Sequence, residues 1–245
     1  MLFLDGGSQI RGRAWWRARW RTGWRTRWRT WWRTGWRTPA LLVVGLLALS
    51  VGRALDNGRL LEAAARLGPR AVAEAPPLLQ LIERTALLDE DRRLALVNSY
   101  FNQRIAFHDD MEVWGAIDYW ASPLESLGRG RGDCEDYAIA KYFTLVAAGT
   151  PLAKLRMVYV RAQLGGKSLA HMVLAYYAQP GAEPLILDNL IGDVRLASAR
   201  TDLQPVFSFN TEGLWQGVGQ ATQGDPVARL SQWRDLLAKV RAEGF

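Results

Sequence analysis

The chain has 245 residues, of which 49% are apolar and 22% charged, and its formal net charge is +7. This length and composition suffice for one globular domain with a hydrophobic core, and they exclude collagen, a coiled coil, a disordered tail and a polytopic membrane protein. The chain has 1 cysteine, Cys134, which excludes an internal disulfide and a thiolate zinc cluster.

The positive charge is concentrated in an N-terminal leader. Residues 1–38 contain ten Arg, one Asp and eight of the 12 Trp, and they carry a net charge of +9. Residues 39–245 contain 21 basic and 23 acidic residues and carry a net charge of −2. Because the basic character lies outside the globular part, the sequence does not predict a nucleic-acid-binding protein.

The leader is repetitive and precedes a short apolar run. From Trp20 onward, Trp-Arg-Thr recurs every four residues. This repeat indicates a tandem duplication or coding sequence upstream of the true translation start. The alternative is an Arg/Trp-rich segment that lies on anionic lipid. The run from Ala40 to Gly52 is shorter than the about 20 residues that a membrane-spanning helix needs, and it is typical of a signal-peptide core.

We therefore predict three segments and export of the last one. Residues 1–38 are the leader, 39–56 a signal-peptide core or membrane anchor, and 57–245 the globular domain; the alternative for the apolar run is a buried N-terminal helix. In an oxidising compartment an unpaired thiol favours a reactive role over a structural one.

Within the globular part, helical periodicity gives way to strand periodicity. Leu and Ala recur at helical spacing over residues 58–95, with a break predicted at 75–77, and Asp133 opens a helix that runs to about Ala148. Three strands are predicted at Leu155–Gln163, Leu169–Tyr177 and Pro184–Leu190. A closing amphipathic helix is predicted at Pro226–Glu243. Helices followed by antiparallel strands are typical of an α+β domain.

Cys134 is a candidate nucleophile because it falls in the first turn of a predicted helix. A helix N-terminus stabilises a thiolate and lowers the pKa of the thiol. The alternative is a small buried hydrophobic residue, which is the usual fate of a lone cysteine. The polar neighbours of Cys134 and the glycine-rich approach to it favour the nucleophile.

A thiol nucleophile needs a base, and the base needs an orienting acceptor. If the second and third strands turn about the 179–180 bond, opposite residues have numbers that sum to 359, as do His171 and Asp188. The two side chains are then cross-strand neighbours on one face, whereas a one-residue slip separates them. The alternative is an unrelated core histidine beside an aspartate. His108, in a polar turn, is the weaker candidate base.

Three acids, Asp133, Glu135 and Asp136, crowd the candidate nucleophile. Asp133 and Asp136 occupy positions at which acidic residues cap a helix, and capping is one explanation for their presence beside Cys134. Three carboxylates also raise the pKa of a neighbouring thiol, and a bound cation removes that conflict. Ca²⁺ accepts such oxygen ligands in flexible geometry, so a calcium site is the other explanation.

Four motifs together resemble the bacterial transglutaminase-like cysteine proteinases. They are Trp114-Gly-x-x-Asp-Tyr-Trp120, Gly132-Asp-Cys-Glu-Asp-Tyr-Ala-Ile-Ala-Lys-Tyr142, Ala170-His-Met-Val-Leu174 and Leu187-Asp-Asn-Leu190. The resemblance covers roughly residues 85–220 and does not extend to the leader. The ordered Cys, His and Asp make it more specific than any one motif.

The resemblance implies a papain-like, transglutaminase-like fold, with N-terminal helices packed on an antiparallel sheet. It implies Cys134 as nucleophile, His171 as base, Asp188 as the residue that orients His171, and Ca²⁺ at the acids around Cys134. It further implies a periplasmic endopeptidase that cuts the N-terminal region of a large outer-membrane-tethered adhesin at a di-alanine site and so promotes biofilm dispersal. The implied inhibitor is the periplasmic domain of an inner-membrane cyclic-di-GMP receptor.

Two other functions remain open at this point. A transglutaminase or other amide transferase uses the same three residues and differs only in the acceptor, an amine instead of water. A calcium-dependent binding module that keeps the fold without catalysis is the second alternative, and the complete Cys-His-Asp set speaks against it.

Overall fold

The computed structural model describes residues 55–245; residues 1–54, which include the leader and the apolar run, lie outside the described residues. Its helices of seven or more residues are α1 (Asn57–Leu67), α2 (Pro69–Ala86), α3 (Glu90–Arg104), α5 (Pro123–Arg129), α6 (Cys134–Ala147) and α8 (Ser231–Ala242), and two short helices are α4 (Asp110–Val113) and α7 (Pro226–Arg229). Within residues 55–245, no helix is long and apolar enough to cross a membrane. The division of the chain at residues 38 and 56 stays a prediction.

The predicted helix break at residues 75–77 is wrong. Helix α2 continues through Pro76 and Pro77, and the chain breaks at Gly68 instead, where φ is 111°. A proline removes a hydrogen bond to the carbonyl four residues earlier. Those carbonyls belong to Val72 and Ala73, which are solvent-exposed, so water can bond them while the opposite face of α2 packs in the core.

The strands form a small ladder and one large sheet. The strands are β1 (Ala106–Phe107), β2 (Arg131–Gly132), β3 (Leu155–Leu164), β4 (Lys167–Tyr176), β5 (Leu185–Leu187), β6 (Arg195–Leu196), β7 (Leu203–Phe209), β8 (Leu214–Gln216) and β9 (Thr222–Gly224). The large sheet is antiparallel, in the order β6-β5-β4-β3-β7-β8-β9. Helices packed on an antiparallel sheet confirm the predicted α+β class.

The main core lies between the helices and one face of the sheet. The fully buried Trp233 of α8 is its largest side chain, and its ring contacts Tyr142 and Phe143 of α6 and Phe209 of β7 at centroid distances of 5.7, 5.8 and 5.2 Å. Aromatic pairs at these separations add to the free energy of burial. This packing fixes α6 against the sheet and thereby positions the N-terminus of α6.

The ladder of β1 and β2 joins two segments that are distant in sequence. The strands pair in parallel, with Ala106 opposite Arg131 and Phe107 opposite Gly132. The His108 N–H donates to the carbonyl of Gly132 at 3.0 Å and extends the ladder. The turn that follows β1 therefore lies beside the start of α6.

Candidate active site

Cys134 is the first residue of α6, as predicted, and is partly exposed. Its thiol donates to Glu135 Oε2 at 3.0 Å and lies within reach of the backbone N–H of Met172. Since Met172 directly follows His171 in β4, the N-terminus of α6 and the middle of β4 meet at the thiol.

The side chains of His171 and Asp188 form a buried pair. His171 Nε2 lies 2.8 Å from Asp188 Oδ1, and the two residues are 5% and 1% exposed. If Nε2 carries the proton that Asp188 accepts, Nδ1 is left free to act as a base. The carboxylate therefore selects the tautomer and orients the ring.

The pair forms in a register that differs from the predicted one. Leu174 pairs with Leu187 and Tyr176 with Leu185, so opposite residues have numbers that sum to 361, because the turn is centred one residue later. The observed register of β4 against β5 differs from the predicted one by two residues. Because side chains alternate between the two faces of a sheet, a two-residue shift leaves each side chain on its predicted face. His171 and Asp188 therefore share a face but are diagonal neighbours instead of opposite ones. The pairing of the two residues holds, whereas the predicted direct opposition is wrong.

Two further residues that sequence reasoning missed hold Asp188. Arg200 Nη2 donates to Asp188 Oδ2 at 2.6 Å, and Asn102 Nδ2 donates to the Asp188 backbone carbonyl at 2.8 Å. Burial alone raises the pKa of Asp188, but the hydrogen bonds and charges of His171 and Arg200, with the Leu190 N–H, lower it to about 2. Asp188 is therefore ionised at neutral pH.

His108 lies away from this pair. Its Nδ1 is 2.8 Å from Glu112 Oε2, one turn further along the chain, and both side chains are partly exposed. No contact of His108 with Asp188 is present among residues 55–245. The geometry thus favours His171 as the base.

The predicted acids cluster beside Cys134 and are joined by two acids that the sequence did not indicate. Oxygens of Asp110, Asp133 and Asp136 lie within 4.8 Å of one another, and so do oxygens of Asp110, Asp118 and Glu135. Asp110 is the first residue of α4, the short helix that follows β1. Its proximity depends on a two-residue parallel ladder, which is too short to show as periodicity in sequence.

The three aspartates have oxygens that fit a hard cation. Asp110 Oδ1, Asp133 Oδ1 and Asp136 Oδ2 are buried and have no hydrogen-bond partner among residues 55–245. Buried carboxylate oxygens are normally satisfied, and Ca²⁺ binds such oxygens in flexible geometry. Asp133, Asp136 and Asp110 would therefore hold the ion, while Glu135 reaches from the thiol towards Asp110 and Asp118.

Capping does not account for Asp133. It stands at the N-cap of α6, but its side chain makes no capping hydrogen bond. Asp136 Oδ1 instead accepts from the backbone N–H of Ala121 at 2.8 Å. A β-carbon at Gly132 would lie 2.5 Å from Asp136 Oδ2, so only glycine allows this close approach of the carboxylate to the backbone.

Without a compensating cation, ionisation of the three buried aspartates of the cluster is disfavoured. Burial raises the pKa of Asp110 to about 6 and that of Asp133 to about 10, and it raises the pKa of Asp136 well above its usual range. Burial also raises the pKa of the Cys134 thiol, and Glu135 and Asp133 raise it further. The backbone N–H of Met172 acts in the opposite direction and lowers this pKa. The lowering expected from the helix N-terminus is thus outweighed.

Comparison with known proteins identifies the family. Residues 81–220 match the bacterial transglutaminase-like cysteine proteinases (BTLCP). Three solved structures are similar to the chain, all LapG of Legionella pneumophila: an EGTA-treated form (38% identity, TM-score 0.67), a form with no stated treatment (37%, 0.65) and a calcium-bound form (38%, 0.66). Each match covers 76% of this chain and 98 or 99% of LapG.

The curated proteins gave no match. The family match spans more than half of the chain. The LapG structures match the chain over nearly their whole length, and the 38% sequence identity shows a family relationship in addition to a shared fold. The transglutaminase-like fold predicted from the four motifs is therefore confirmed. The chain belongs to the bacterial transglutaminase-like cysteine proteinases.

Proposed function

We propose that this cysteine protease is a calcium-dependent periplasmic endopeptidase that cleaves the N-terminal region of a large cell-surface adhesin and releases the adhesin from the cell. The observation that carries the proposal is the buried His171–Asp188 contact, together with the backbone N–H of the next residue, Met172, beside the Cys134 thiol at the start of α6. Similarity to LapG, which has been solved with calcium bound, supports the metal requirement. The cyclic-di-GMP receptor is proposed as the inhibitor.

The chemistry follows from the roles of the three side chains. His171 takes the proton of the Cys134 thiol at Nδ1, and the thiolate attacks the peptide carbonyl carbon. Asp188 stabilises the imidazolium that forms. His171 then returns the proton to the leaving amine, and water hydrolyses the thioester to free Cys134.

The acid cluster determines how readily this sequence of steps begins. Burial and the charge of Glu135 disfavour the thiolate as long as no cation lies beside it. Asp110, Asp133 and Asp136 would hold a Ca²⁺, which would supply compensating positive charge next to the thiol. Through a shared ion, these carboxylates would also join the start of α4 to the N-terminus of α6.

Proteolysis is tested with the N-terminal region of a large outer-membrane-tethered adhesin as the substrate. In Ca²⁺ buffer containing a labelled primary amine, we expect two fragments with a cut at a di-alanine site and no incorporated label. The Cys134→Ala protein is the matched control and should leave the substrate intact. Labelled substrate without cleavage would instead identify an amide transferase.

Export is tested by fusing a reporter after residue 67, at the end of α1. The apolar run behind a strongly positive leader predicts that an export-dependent reporter such as alkaline phosphatase becomes active. A matched fusion that lacks residues 40–52 should be inactive. Equal activity of the two fusions would contradict export through this segment.

A further inference from the structure

The carboxylate of Asp188 is held from two sides. Oδ1 contacts His171 Nε2 at 2.8 Å and accepts from the Leu190 N–H at 3.1 Å, and Oδ2 accepts from Arg200 Nη2 at 2.6 Å. Asp188 and Arg200 are 1% and 2% exposed. Because opposite edges of the carboxylate are bonded, it cannot rotate away from His171 without breaking a buried ion pair.

Arg200 is in turn held by a second carboxylate. Its Nε donates to Asp202 Oδ1 at 2.9 Å, and its Nη2 donates to Asp202 Oδ2 at 2.8 Å. This two-point contact orients the guanidinium plane, which a lysine ammonium cannot reproduce. The Asp202 side chain is 32% exposed, so its carboxylate is partly hydrated while Arg200 is not.

The charges of this arrangement balance in a way that suits catalysis. An arginine alone beside Asp188 would neutralise the negative charge that stabilises the His171 imidazolium. With Asp202 included, Asp188, Arg200 and Asp202 together carry a charge of −1, as a single carboxylate does. Arg200 can therefore orient Asp188 without removing the net negative charge beside His171.

One other charged side chain acts on Asp188. Lys141 of α6 is fully buried, and its Nζ has no hydrogen-bond partner among residues 55–245. Burial lowers the pKa of Lys141 to about 7, although the charge of Asp188 acts in the opposite direction, so Lys141 does not add a full positive charge to the arrangement at neutral pH. The Cys134 thiol lies beside the backbone N–H of Met172, which follows His171.

We propose that Arg200 and Asp202 form a charge-balanced clamp that positions Asp188 against His171. In this role both are positioning residues, since neither touches the reacting atoms. The proposal rests on the proposed function, because orienting Asp188 matters for catalysis only if His171 is the base of a cysteine protease. Its distinguishing consequence is that removing the positive and the negative member of the clamp shifts the His171 pKa in opposite directions.

The test measures the His171 pKa by ¹⁵N NMR in the calcium-loaded full chain. The chain has 2 histidines, His108 and His171, and a Cys134→Ala background removes the titration of the thiol. Asp202→Asn should lower the His171 pKa by about half a unit, and Arg200→Met should raise it by a similar amount. His108 is the internal reference.

A matched control exists in the exposed pair Arg195–Asp193, which has the same two-residue spacing and a 3.1 Å contact. Asp193→Asn removes one surface carboxylate, as Asp202→Asn does, but it should leave the His171 pKa unchanged. In the protein with Cys134 intact, Arg200→Met should lower kcat on the adhesin fragment about tenfold at unchanged KM, as expected for a misplaced catalytic group. Arg200→Lys should recover part of that loss.

The outcomes separate the clamp from the proposed function. Opposite shifts of the His171 pKa support the clamp even if the adhesin is not the substrate. An unchanged pKa in Asp202→Asn would overturn the clamp even if the wild-type protein cleaves the adhesin. If Arg200→Met does not fold, Asp202→Asn and Arg200→Lys decide the question, and wild-type kcat in both would contradict the proposal.

Discussion

Replacing Cys134 or His171 with alanine is expected to lower cleavage of the adhesin fragment by about 10⁴-fold or more, because each substitution removes a group that takes part in bond making or proton transfer. The double variant should be hardly less active than either single variant, since the residues act as a unit. Rates should be measured by fragment appearance, with circular dichroism to show that the fold is retained. His108→Ala is the matched control and should keep normal activity.

Asp188 requires a different substitution because of its surroundings. Alanine would remove one of the two carboxylates that hold the buried Arg200 guanidinium, the one at 2.6 Å, and complete loss of a buried ion pair costs about 3–5 kcal/mol of stability. Asparagine keeps the size of the side chain and separates loss of the charge from loss of packing. Asp188→Asn should fold and lose most activity, whereas Asp188→Ala should also unfold at a lower temperature.

One pattern of results would reverse the assignment of the base. If His171→Ala cleaves the fragment at a near-normal rate while His108→Ala does not, His108 is the base and the His171–Asp188 pair is structural. Equal activity of all variants would show that cleavage does not use the thiol of Cys134, the one cysteine of the chain.

Chelation of calcium with EGTA is expected to stop cleavage completely, and Ca²⁺, but not Mg²⁺ at the same concentration, should restore it. Mg²⁺ requires near-ideal octahedral geometry and gives up water reluctantly, whereas Ca²⁺ accepts the irregular set of oxygens that Asp110, Asp133 and Asp136 offer. Ca²⁺ at 100 times its Kd should also stabilise the fold by about 2.7 kcal/mol. Thermal unfolding with and without EGTA measures this difference.

Asparagine substitutions in the cluster should have opposite effects in the two buffers. In EGTA, Asp110→Asn removes one of several crowded, buried carboxylates and should raise the unfolding temperature. In Ca²⁺ buffer, the same variant should lose both the calcium-induced stabilisation and the activity. Asp109→Asn, at the exposed neighbouring residue, is the matched control and should behave as the wild type does.

The capping explanation makes the contrary prediction. If Asp133 and Asp136 only cap α6, their substitution costs about 1 kcal/mol of stability and leaves cleavage insensitive to EGTA. Full activity in calcium-free buffer would therefore decide for capping. Calorimetric titration of Ca²⁺ into the wild-type and Asp136→Asn proteins gives a reading that does not depend on the substrate.

Local chemistry was sufficient to predict much of the candidate site. A cysteine after Gly132-Asp133 marks a helix start, because glycine and aspartate favour that position, and the structure begins α6 at Cys134. The period-two strands around His171 were also predictable. The continuity of helix α2 could not be predicted, because the prolines at 76 and 77 favour a break locally. Burial of the apolar face of α2 outweighs that local preference.

The sequence by itself determined the α+β class, the helix start at Cys134 and the shared face of His171 and Asp188, because these depend on periodicity and on neighbours a few residues apart. Only the tertiary structure decided which residues complete the site. Asp110 reaches the acid cluster through the β1–β2 ladder, and Arg200 reaches Asp188 from beyond β6. Contacts between such distant segments depend on how elements pack, and packing leaves no periodic trace in the chain.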